Sequence, residues 1–329
     1  MKTAVVILNW NGRNFLEKFL PIVVEYSPTA EIIVGDNAST DTSIDFLSAN
    51  FPQIKIIQND KNYGFAGGYN RVLEQVDAEY LVLLNSDIEV TPHWIDPIVE
   101  MLEKNPKIGA VQPKLLSYYE RNQFEYAGAA GGYIDFLGYP FCRGRIFDTV
   151  EADKGQYNDE KQIFWATGAA FFIKKDVFFK VGGFDEDFFA HQEEIDLCWR
   201  LQSAGYQNFY CPTSVVYHVG GGTLPKASPF KNFLNFRNNL FLLYKNLPNK
   251  KFIPIFLLRI FLDCIASLKI LFSDGMKASW AVARGYFDFF KKMKIIRPKR
   301  NKSNIKINTI YSKSILWEYY VKKNKHWKH

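Results

Sequence analysis

The sequence is poor in cysteine, and none of its cysteines form a close pair. Four occur among 329 residues, Cys142, Cys198, Cys211 and Cys264, and no CxxC spacing is present. Structural zinc sites and disulfide-rich scaffolds depend on closely spaced or numerous cysteines, so the sequence indicates neither. A reducing, cytoplasmic compartment is the simplest expectation.

Long uninterrupted hydrophobic runs are also lacking. The amino terminus, MKTAVVILNWNG, enters a strand pattern directly, without the apolar core and cleavage site typical of a signal peptide. The most apolar later segment, residues 252–272, is interrupted by Pro254, Arg259, Asp263 and Lys269, so it is too broken to span a bilayer. We therefore expect a protein that is not exported and that contacts a membrane only at its surface.

Acidic residues are nearly absent from the end of the chain. From residue 291 onward there are thirteen Lys and Arg residues and one acid, Glu318, whereas the whole chain has 41 basic and 34 acidic residues and a net charge of +7. After these are subtracted, the first 290 residues hold 28 basic and 33 acidic side chains. The body is thus mildly acidic and the tail strongly basic, which suits contact with a polyanionic surface.

Strand and helix patterns alternate through the first third of the chain. Apolar runs at residues 3–8, 31–34, 54–57 and 80–84 are typical of buried parallel strands, and segments with helical spacing separate them. With right-handed crossovers, this order predicts an α/β fold with a Rossmann-like, mostly parallel sheet flanked by helices. The carboxyl ends of its strands should meet at one edge.

Polar clusters follow each of these strands, at residues 9–12, 36–41, 62–70 and 85–87. The last of them, Asn85, Ser86 and Asp87, ends the buried run YLVLL. A carboxylate at this edge can hold a hard divalent cation and, through it, the phosphates of a nucleotide. A turn that caps the next helix is the alternative for any single cluster, but four on one edge predict a binding site.

The second half of the chain is less regular. Residues 117–159 show no clear period and predict a mobile or insertion-like loop region. A helix starts near Glu193, Glu194 and Asp196, which are either ordinary helix-start acids or a general base with neighbours that raise its pKa. A short strand then ends at His218, which is either structural or able to reach a phosphate or metal.

The segment from residue 230 onward predicts a helix that covers the domain. Its apolar side carries Phe233, Phe236 and Leu240, with Arg237 and Lys245 placed elsewhere. Together with the apolar 252–272 segment and the basic tail, it indicates peripheral contact with anionic lipid.

These motifs resemble the inverting nucleotide-sugar glycosyltransferases of the GT-A fold, in family two, and most of all the rhamnosyltransferase-type members. The resemblance covers about residues 1–247 and implies a catalytic domain there, followed by an amphipathic helical and basic extension at 248–329. It rests on the order and spacing of VVILNWNG, GDNASTD, NYGFAGGYN, LLNSD, WATGAAFFIKKDVFFKVGGFDEDFF, EEIDLCWRL and YHVGGGT.

The resemblance also implies a donor site. Asp36 would hydrogen-bond a pyrimidine base, and Asp87 would bind Mg²⁺ or Mn²⁺ in the DXD position, where Asn85 replaces the first Asp and weakens the local negative charge. His218 would be a second metal or diphosphate contact. The other residues implied to line the donor are Asn9, Asn11, Asn37, Gly67, Asn70, Asn85, Ser86 and Thr223.

The acceptor-activating acidic pair of the family corresponds to Glu193 and Glu194. Its second member is usually Asp, so the resemblance implies Glu194 as the base, with Glu193 and Asp196 as rivals. The implied reaction is a single in-line displacement that inverts the sugar. The donor would be dTDP-rhamnose or a UDP-sugar, and the acceptor a hydroxyl of a glycan or lipid-linked glycan in cell-surface polysaccharide synthesis, at the inner face of the cytoplasmic membrane.

Two other functions fit parts of the sequence. A nucleotidyltransferase would carry Gly, Arg and Lys just after the first strand, but the loop at 9–12 is followed only by Arg13. A nonenzymatic protein could bind nucleic acid or lipid through the basic tail. The tail aromatics form no recognised stacking motif, so we do not expect a nucleic-acid partner.

Overall fold

In the computed structural model, which describes residues 2–220, 228–303 and 305–327, the chain forms an α/β body with two sheets. The strands are β1 (Thr3–Asn9), β2 (Ala30–Asp36), β3 (Lys55–Gln58), β4 (Tyr80–Asn85), β5 (Ile88–Val90), β6 (Ile108–Ser117), β7 (Gly132–Asp135), β8 (Pro140–Cys142), β9 (Arg145–Ile146), β10 (Thr149–Val150), β11 (Lys161–Ile163), β12 (Ala170–Lys174), β13 (Gln207–His218) and β14 (Ile310–Tyr311). The helices are α1 (Arg13–Glu25), α2 (Ser43–Asn50), α3 (Gly64–Glu74), α4 (Asp96–Lys104), α5 (Lys175–Lys180), α6 (Glu193–Ser203), α7 (Pro229–Asn246), α8 (Asn249–Asp274) and α9 (Met276–Ile296).

The large sheet has the strand order β11-β13-β6-β12-β4-β1-β2-β3, and β5 pairs with β13. The four strands β1 to β4 are parallel, and their ends align, with Asn9 opposite Asp36 and Leu8 opposite Asn85. Side chains on successive β1 positions enter two different cores, Val5 on one face and Val6 on the other. The predicted α/β architecture and the shared edge of strand ends are confirmed.

The other half of the large sheet is mixed. Strand β12 lies antiparallel between β4 and β6, with Ala170 opposite Leu84. The amide of Asn85 donates to the carbonyl of Ala169 at 2.9 Å. The segment before β12 therefore lies directly beside the Asn85–Asp87 cluster.

The region 117–159 contains regular strands, so the prediction that it is a loop region, mobile or insertion-like, is wrong about its loop character. It contains β7 to β10, which form a small sheet of order β10-β9-β8-β7-β14 around buried Phe141, Cys142 and Ile146. Its strands are two to four residues long. Strands this short show no readable period, which explains the error.

The carboxyl-terminal extension packs onto the body. Strand β14 of the tail pairs with β7, and Arg300 donates to the carbonyl of Leu247 at 2.7 Å. Helices α8 and α9 form a hairpin, and α9 packs along α7. The division between residues 1–247 and 248–329 stays a prediction, with extensive contacts across it.

Helix α7 buries the two cations that the sequence pattern placed away from its packed side. Arg237 and Lys245 are both buried, so that prediction is wrong. Arg237 donates to Asp288 and to the carbonyls of Asp187 and Phe188, and Lys245 donates to Asp185 and Asp196. Among the helices described by the structure, none is both long and apolar enough to cross a bilayer.

Candidate active site

The ends of β1 and β2 form a hydrogen-bonded polar floor. Asn9 donates from Nδ2 to Asp36 Oδ1 at 3.1 Å, and the amide of Ser39 donates to Asp36 Oδ2 at 2.9 Å. In the described part of the chain, Asn9 Oδ1 accepts no hydrogen bond. A Cβ at Gly12 would lie 2.5 Å from this oxygen and 3.5 Å from Ser86 Oγ, so glycine keeps the space above it open.

Several residues that were predicted to contact the nucleotide-sugar donor form hydrogen bonds within the protein. Asn11 accepts from the amide of Thr40 at 2.7 Å and so joins the first two loops. Asn37 is buried and bonds Asn62 at 2.9 Å, so it shapes the loop before α3.

The predicted nucleotide contacts on α3 are not supported. Asn70 uses both ends of its amide on the backbone of Phe184, at 2.9 and 3.0 Å, so this side chain is already engaged and its contact with the donor stays a prediction. A Cβ at Gly67 would meet Tyr63 at 3.0 Å and Glu186 at 3.4 Å, so Gly67 faces that side and not the strand-end floor. Thr223 lies outside the described residues.

Asp87 and His218 meet at this edge, as the sequence predicted for the metal site. His218 Nε2 lies 3.2 Å from Asp87 Oδ1, and the amide of Val219 donates to the Asp87 carbonyl at 3.1 Å. On the other side of the ring, His218 Nδ1 lies 3.4 Å from Glu125 Oε1. All three side chains are buried.

The two carboxylates determine the charge of this histidine. Burial disfavours the imidazolium, but Glu125 and Asp87 outweigh it and raise the pKa of His218 to about 10. Burial would raise the pKa of Asp87, and the charge of His218 instead holds it below its usual value. Protonated His218 therefore places a positive charge between the carboxylates of Asp87 and Glu125.

The residues fit a divalent cation in part. In the described segments, no three His, Cys, Asp or Glu side chains are grouped to hold a metal. Mg²⁺ and Mn²⁺ sites that also bind a diphosphate need only one or two protein ligands, because substrate oxygens and water supply the rest. Asp87 and His218 would be those ligands, and His218 would have to release its proton on binding the metal.

The three acids in the first turn of α6 have different surroundings. Asp196 is fully buried and contacts Lys245 Nζ at 2.8 Å and Arg200 Nε at 2.8 Å. Burial opposes its ionisation, but these two cations hold the pKa of Asp196 well below its usual range. These contacts favour a structural role for Asp196, and its part as a rival base stays a prediction.

Glu193 and Glu194 lack such partners. Burial raises the pKa of Glu194 to about 7, and burial together with the charge of Glu194 raises the pKa of Glu193. Within the described residues, the Oε2 atom of each has no hydrogen-bond partner. Glu193 is buried, and Glu194 is half-buried as a residue although its Oε2 atom is buried too.

Glu194 also lies close to the turn at Asn85–Asp87. A Cβ at Gly168 would be 3.8 Å from Glu194 Cβ, and the next residue, Ala169, accepts the hydrogen bond from the Asn85 amide. One short segment therefore borders both the acidic pair and the Asn85–Asp87 turn.

The loop before α6 has an unusual backbone. Phe189, His191 and Gln192 have φ values of +65°, +69° and +68°, a conformation that costs free energy for residues other than glycine. It must be held by surrounding contacts. This loop sets the direction in which α6 presents Glu193 and Glu194.

Helix α7 supplies those contacts. Asn238 Nδ2 lies 3.0, 2.8 and 2.7 Å from the carbonyls of Phe188, Ala190 and His191. Asn239 donates to Gln192 Oε1 at 3.0 Å, and Arg259 of α8 donates in turn to Asn239 Oδ1. A polar network thus runs from α8 to the acidic pair.

Sequence reasoning missed these supporting residues. The letters RNN at 237–239 and KN at 245–246 were a signal, since so many polar residues interrupt an otherwise apolar helix. Glu125 gave no signal, because it lies in the irregular region before β7.

The sheet, its polar strand-end edge and the acidic pair define a GT-A glycosyltransferase. The profile of Glycosyl transferase family 2 matches residues 4–184, and the chain belongs to this family. The nonenzymatic alternative that acts through the basic tail is not favoured.

Similar proteins carry out related transfers. N-acetylglucosaminyl-diphospho-decaprenol L-rhamnosyltransferase of Mycobacterium tuberculosis is 26% identical over 230 residues, 65% of this chain and 75% of that protein. The low-salt glycan biosynthesis hexosyltransferase Agl10 of Haloferax volcanii is 23% identical over 305 residues, 90% of this chain and 87% of that protein.

Solved structures agree in fold. S. aureus TarS 1-349 in complex with UDP-GlcNAc has a TM-score of 0.55 and 14% identity over 91% of this chain and 84% of that chain. GalNAc-T7 with UDP, GalNAc and Mn²⁺ has a TM-score of 0.55 and 19% identity over 66% and 43%.

Proposed function

We propose that this glycosyltransferase moves a sugar, with inversion, from dTDP-rhamnose or a UDP-sugar to a hydroxyl of a lipid-linked glycan in cell-surface polysaccharide synthesis. The observation that carries the chemistry is the position of Glu194, whose carboxylate has a raised pKa and an Oε2 atom without a partner among the described residues, near the polar end of β4. The activity of the mycobacterial relative, an N-acetylglucosaminyl-diphospho-decaprenol L-rhamnosyltransferase, supports the choice of rhamnose donor and lipid-linked acceptor.

The reaction is a single displacement. Ionised Glu194 takes the proton of the acceptor hydroxyl while that oxygen attacks the anomeric carbon from the side opposite the diphosphate. The bond between that carbon and the diphosphate oxygen breaks, and the diphosphate leaves with the electron pair. When bound by Asp87 and His218, Mg²⁺ or Mn²⁺ would neutralise charge on the departing oxygens.

The donor site can be tested by calorimetric titration of the purified protein with dTDP, UDP, GDP and ADP, each with Mn²⁺ or with chelator. We expect micromolar, Mn²⁺-dependent binding of dTDP or UDP. Asp36→Ala should abolish nucleotide binding because it removes the carboxylate that accepts a hydrogen bond from the pyrimidine ring. Asp87→Ala should weaken nucleotide binding only when Mn²⁺ is present. Absence of binding for all four nucleotides by folded protein would contradict the proposal.

Peripheral membrane contact is proposed from the α8–α9 hairpin, residues 249–296. Helix α8 has its charged residues on the inside and apolar residues on the outside. Its inner side buries the ion pair of Arg259 and Asp263, and its outer side is apolar. Phe261 is 63% and Phe272 88% exposed. The exposed large hydrophobic residues of the hairpin are Ile253, Leu257, Leu258, Ile260, Phe261, Ile265, Leu268, Phe272, Met276, Trp280, Phe287, Phe290 and Ile295.

The charge around this surface favours anionic lipid. Residues 249–299 contain eleven Lys and Arg and three Asp, and two of the three acids, Asp263 and Asp288, are paired with arginines. A continuous apolar surface of this kind is rare on a monomer and marks an interaction site. Apolar burial combined with basic side chains is the pattern of a helix lying in the lipid interface.

Vesicle flotation tests this contact. The protein should float with vesicles of phosphatidylglycerol and phosphatidylcholine more than with phosphatidylcholine alone. Replacing both Phe261 and Phe272 by Ser should lower the partition at least about tenfold, since burial of each ring is worth roughly 1.5–3 kcal/mol. Trp317→Ser, an exposed aromatic of the tail, is the matched control and should float normally. Equal flotation of all three proteins would contradict the proposal.

A further inference from the structure

Three phenylalanines form what we call the aromatic row: Phe189, in the loop that leads to the acidic pair, and Phe230 and Phe233 on α7. The ring centroids of Phe189 and Phe230 are 6.3 Å apart, and those of Phe230 and Phe233 are 6.1 Å apart. Phe189 is 37% and Phe230 45% exposed, and Phe233 is half-buried. An aromatic cluster left open beside an active site indicates a ligand surface.

The position of Phe189 is enforced. Its φ of +65° is held by the α7 contacts described above, and its ring lies over Gly64, where an added Cβ would come within 2.6 Å of it. The amide of Ala66 donates to the Phe189 carbonyl at 3.2 Å. Phe65, next to Ala66 on α3, approaches Gly168, the glycine that also faces Glu194. The aromatic row therefore begins at the same end of α3 that borders the base.

The other end of the row leads to the apolar hairpin surface. The guanidinium of Arg284 on α9 lies 5.2 Å from the ring centroid of Phe233. Arg284 is exposed, and one turn to each side of it are Trp280 and Phe287, which belong to the proposed membrane-facing surface. The order from the active site outward is thus the proposed base, the aromatic row, Arg284 and the apolar surface of the hairpin.

We propose that the aromatic row and Arg284 form the acceptor subsite and bind a lipid-diphosphate-linked sugar. This inference rests on the proposed function. The negative face of an aromatic ring suits the C–H face of a sugar, so Phe189 and Phe230 would carry the sugar next to Glu194. A guanidinium binds phosphate oxygens in pairs, so Arg284 would hold the diphosphate. The lipid then leaves toward the hairpin and the bilayer.

The test measures equilibrium binding of two probes to the full chain: farnesyl-diphosphate-linked N-acetylglucosamine, and the farnesyl glycoside of the same sugar without diphosphate. Phe230→Leu keeps an apolar side chain but removes the π face, and should raise the Kd of both probes about three- to tenfold. Phe230→Tyr should restore binding. Arg284→Ala should raise the Kd of the diphosphate probe alone, by about ten- to a hundredfold. Trp317→Ala is the control and should bind both probes normally.

Three outcomes would overturn the inference. Equal loss of both probes in Arg284→Ala would show that this arginine does not bind diphosphate. Unchanged Kd values in Phe230→Leu, accompanied by a change of oligomeric state in light scattering, would assign the row to contacts between copies of the chain. If the protein binds nucleotide but neither probe, the acceptor subsite is contradicted and the donor site is not. If the unaltered protein binds no nucleotide, the proposed function itself is contradicted.

Discussion

Glu194→Gln is expected to lower the rate constant for sugar transfer by about 10² to 10⁴-fold, the usual contribution of a general base. Glutamine keeps the size and polarity of the side chain but cannot accept the acceptor proton. The affinity for the nucleotide should not change, because Asp36 and Asp87, the residues proposed to bind the nucleotide and its metal, are unaltered. Initial rates at saturating donor, together with calorimetric nucleotide binding, check both parts.

The pH dependence gives an independent readout of the same residue. Only ionised Glu194 can act as a base, and its pKa is raised to about 7 by burial. The transfer rate should therefore rise with pH up to about 7 and level off above it. The residual rate of Glu194→Gln should lack this dependence.

Glu193→Gln is the matched control for the identity of the base. Glu193 is buried next to Glu194, so its replacement changes the same helix turn without removing the carboxylate of Glu194. We expect this variant to keep at least about a tenth of the rate, since only a base contributes 10² or more. Loss of activity in Glu193→Gln with retention in Glu194→Gln would assign the base to Glu193.

The parallel half of the fold could be predicted because its pattern is local. Strands β1 and β4 are long apolar runs that end in polar residues, and each is followed by a segment of helical spacing. The direction of β12 could not be predicted, because an antiparallel strand between two parallel neighbours has the same apolar composition. Helix α8 shows the same limit: its apolar run is visible in the sequence, but only packing reveals that Arg259 and Asp263 face inward.

The sequence could indicate candidate residues only where a strand ends. Asp36, Asp87 and His218 each stand at the end of an apolar strand, and the structure brings Asp87 and His218 within 3.2 Å, while the roles of all three stay predictions. The roles of Asp196 and Asn70 depend on partners 49 and 114 residues away, Lys245 and Phe184, which a local pattern does not identify. A carboxylate paired with a buried lysine cannot be distinguished in sequence from one that is free to take a proton.

Lys245→Met is expected to lower the free energy of unfolding by about 3–5 kcal/mol, the usual loss when one member of a buried ion pair is removed. Lys245 Nζ lies 2.5 Å from Asp185 Oδ2 and 2.8 Å from Asp196 Oδ2, and all three side chains are buried. Methionine fills the space but leaves two carboxylates without this cation. Urea unfolding followed by circular dichroism measures the change, with Lys104→Met, at an exposed surface pair, as the control that should not change stability.

The sign of the pH effect follows from the same carboxylates. Burial would raise the pKa values of Asp185 and Asp196, but Lys245 holds both below the usual value near 3.9. The stability this provides is present above about pH 4 and is lost as the pH falls through the lowered values. The deficit of Lys245→Met should therefore be largest near neutral pH and shrink below about pH 4. Adding Asp196→Asn should recover part of the loss, because it removes one uncompensated charge, and a double variant no more stable than Lys245→Met would contradict this explanation.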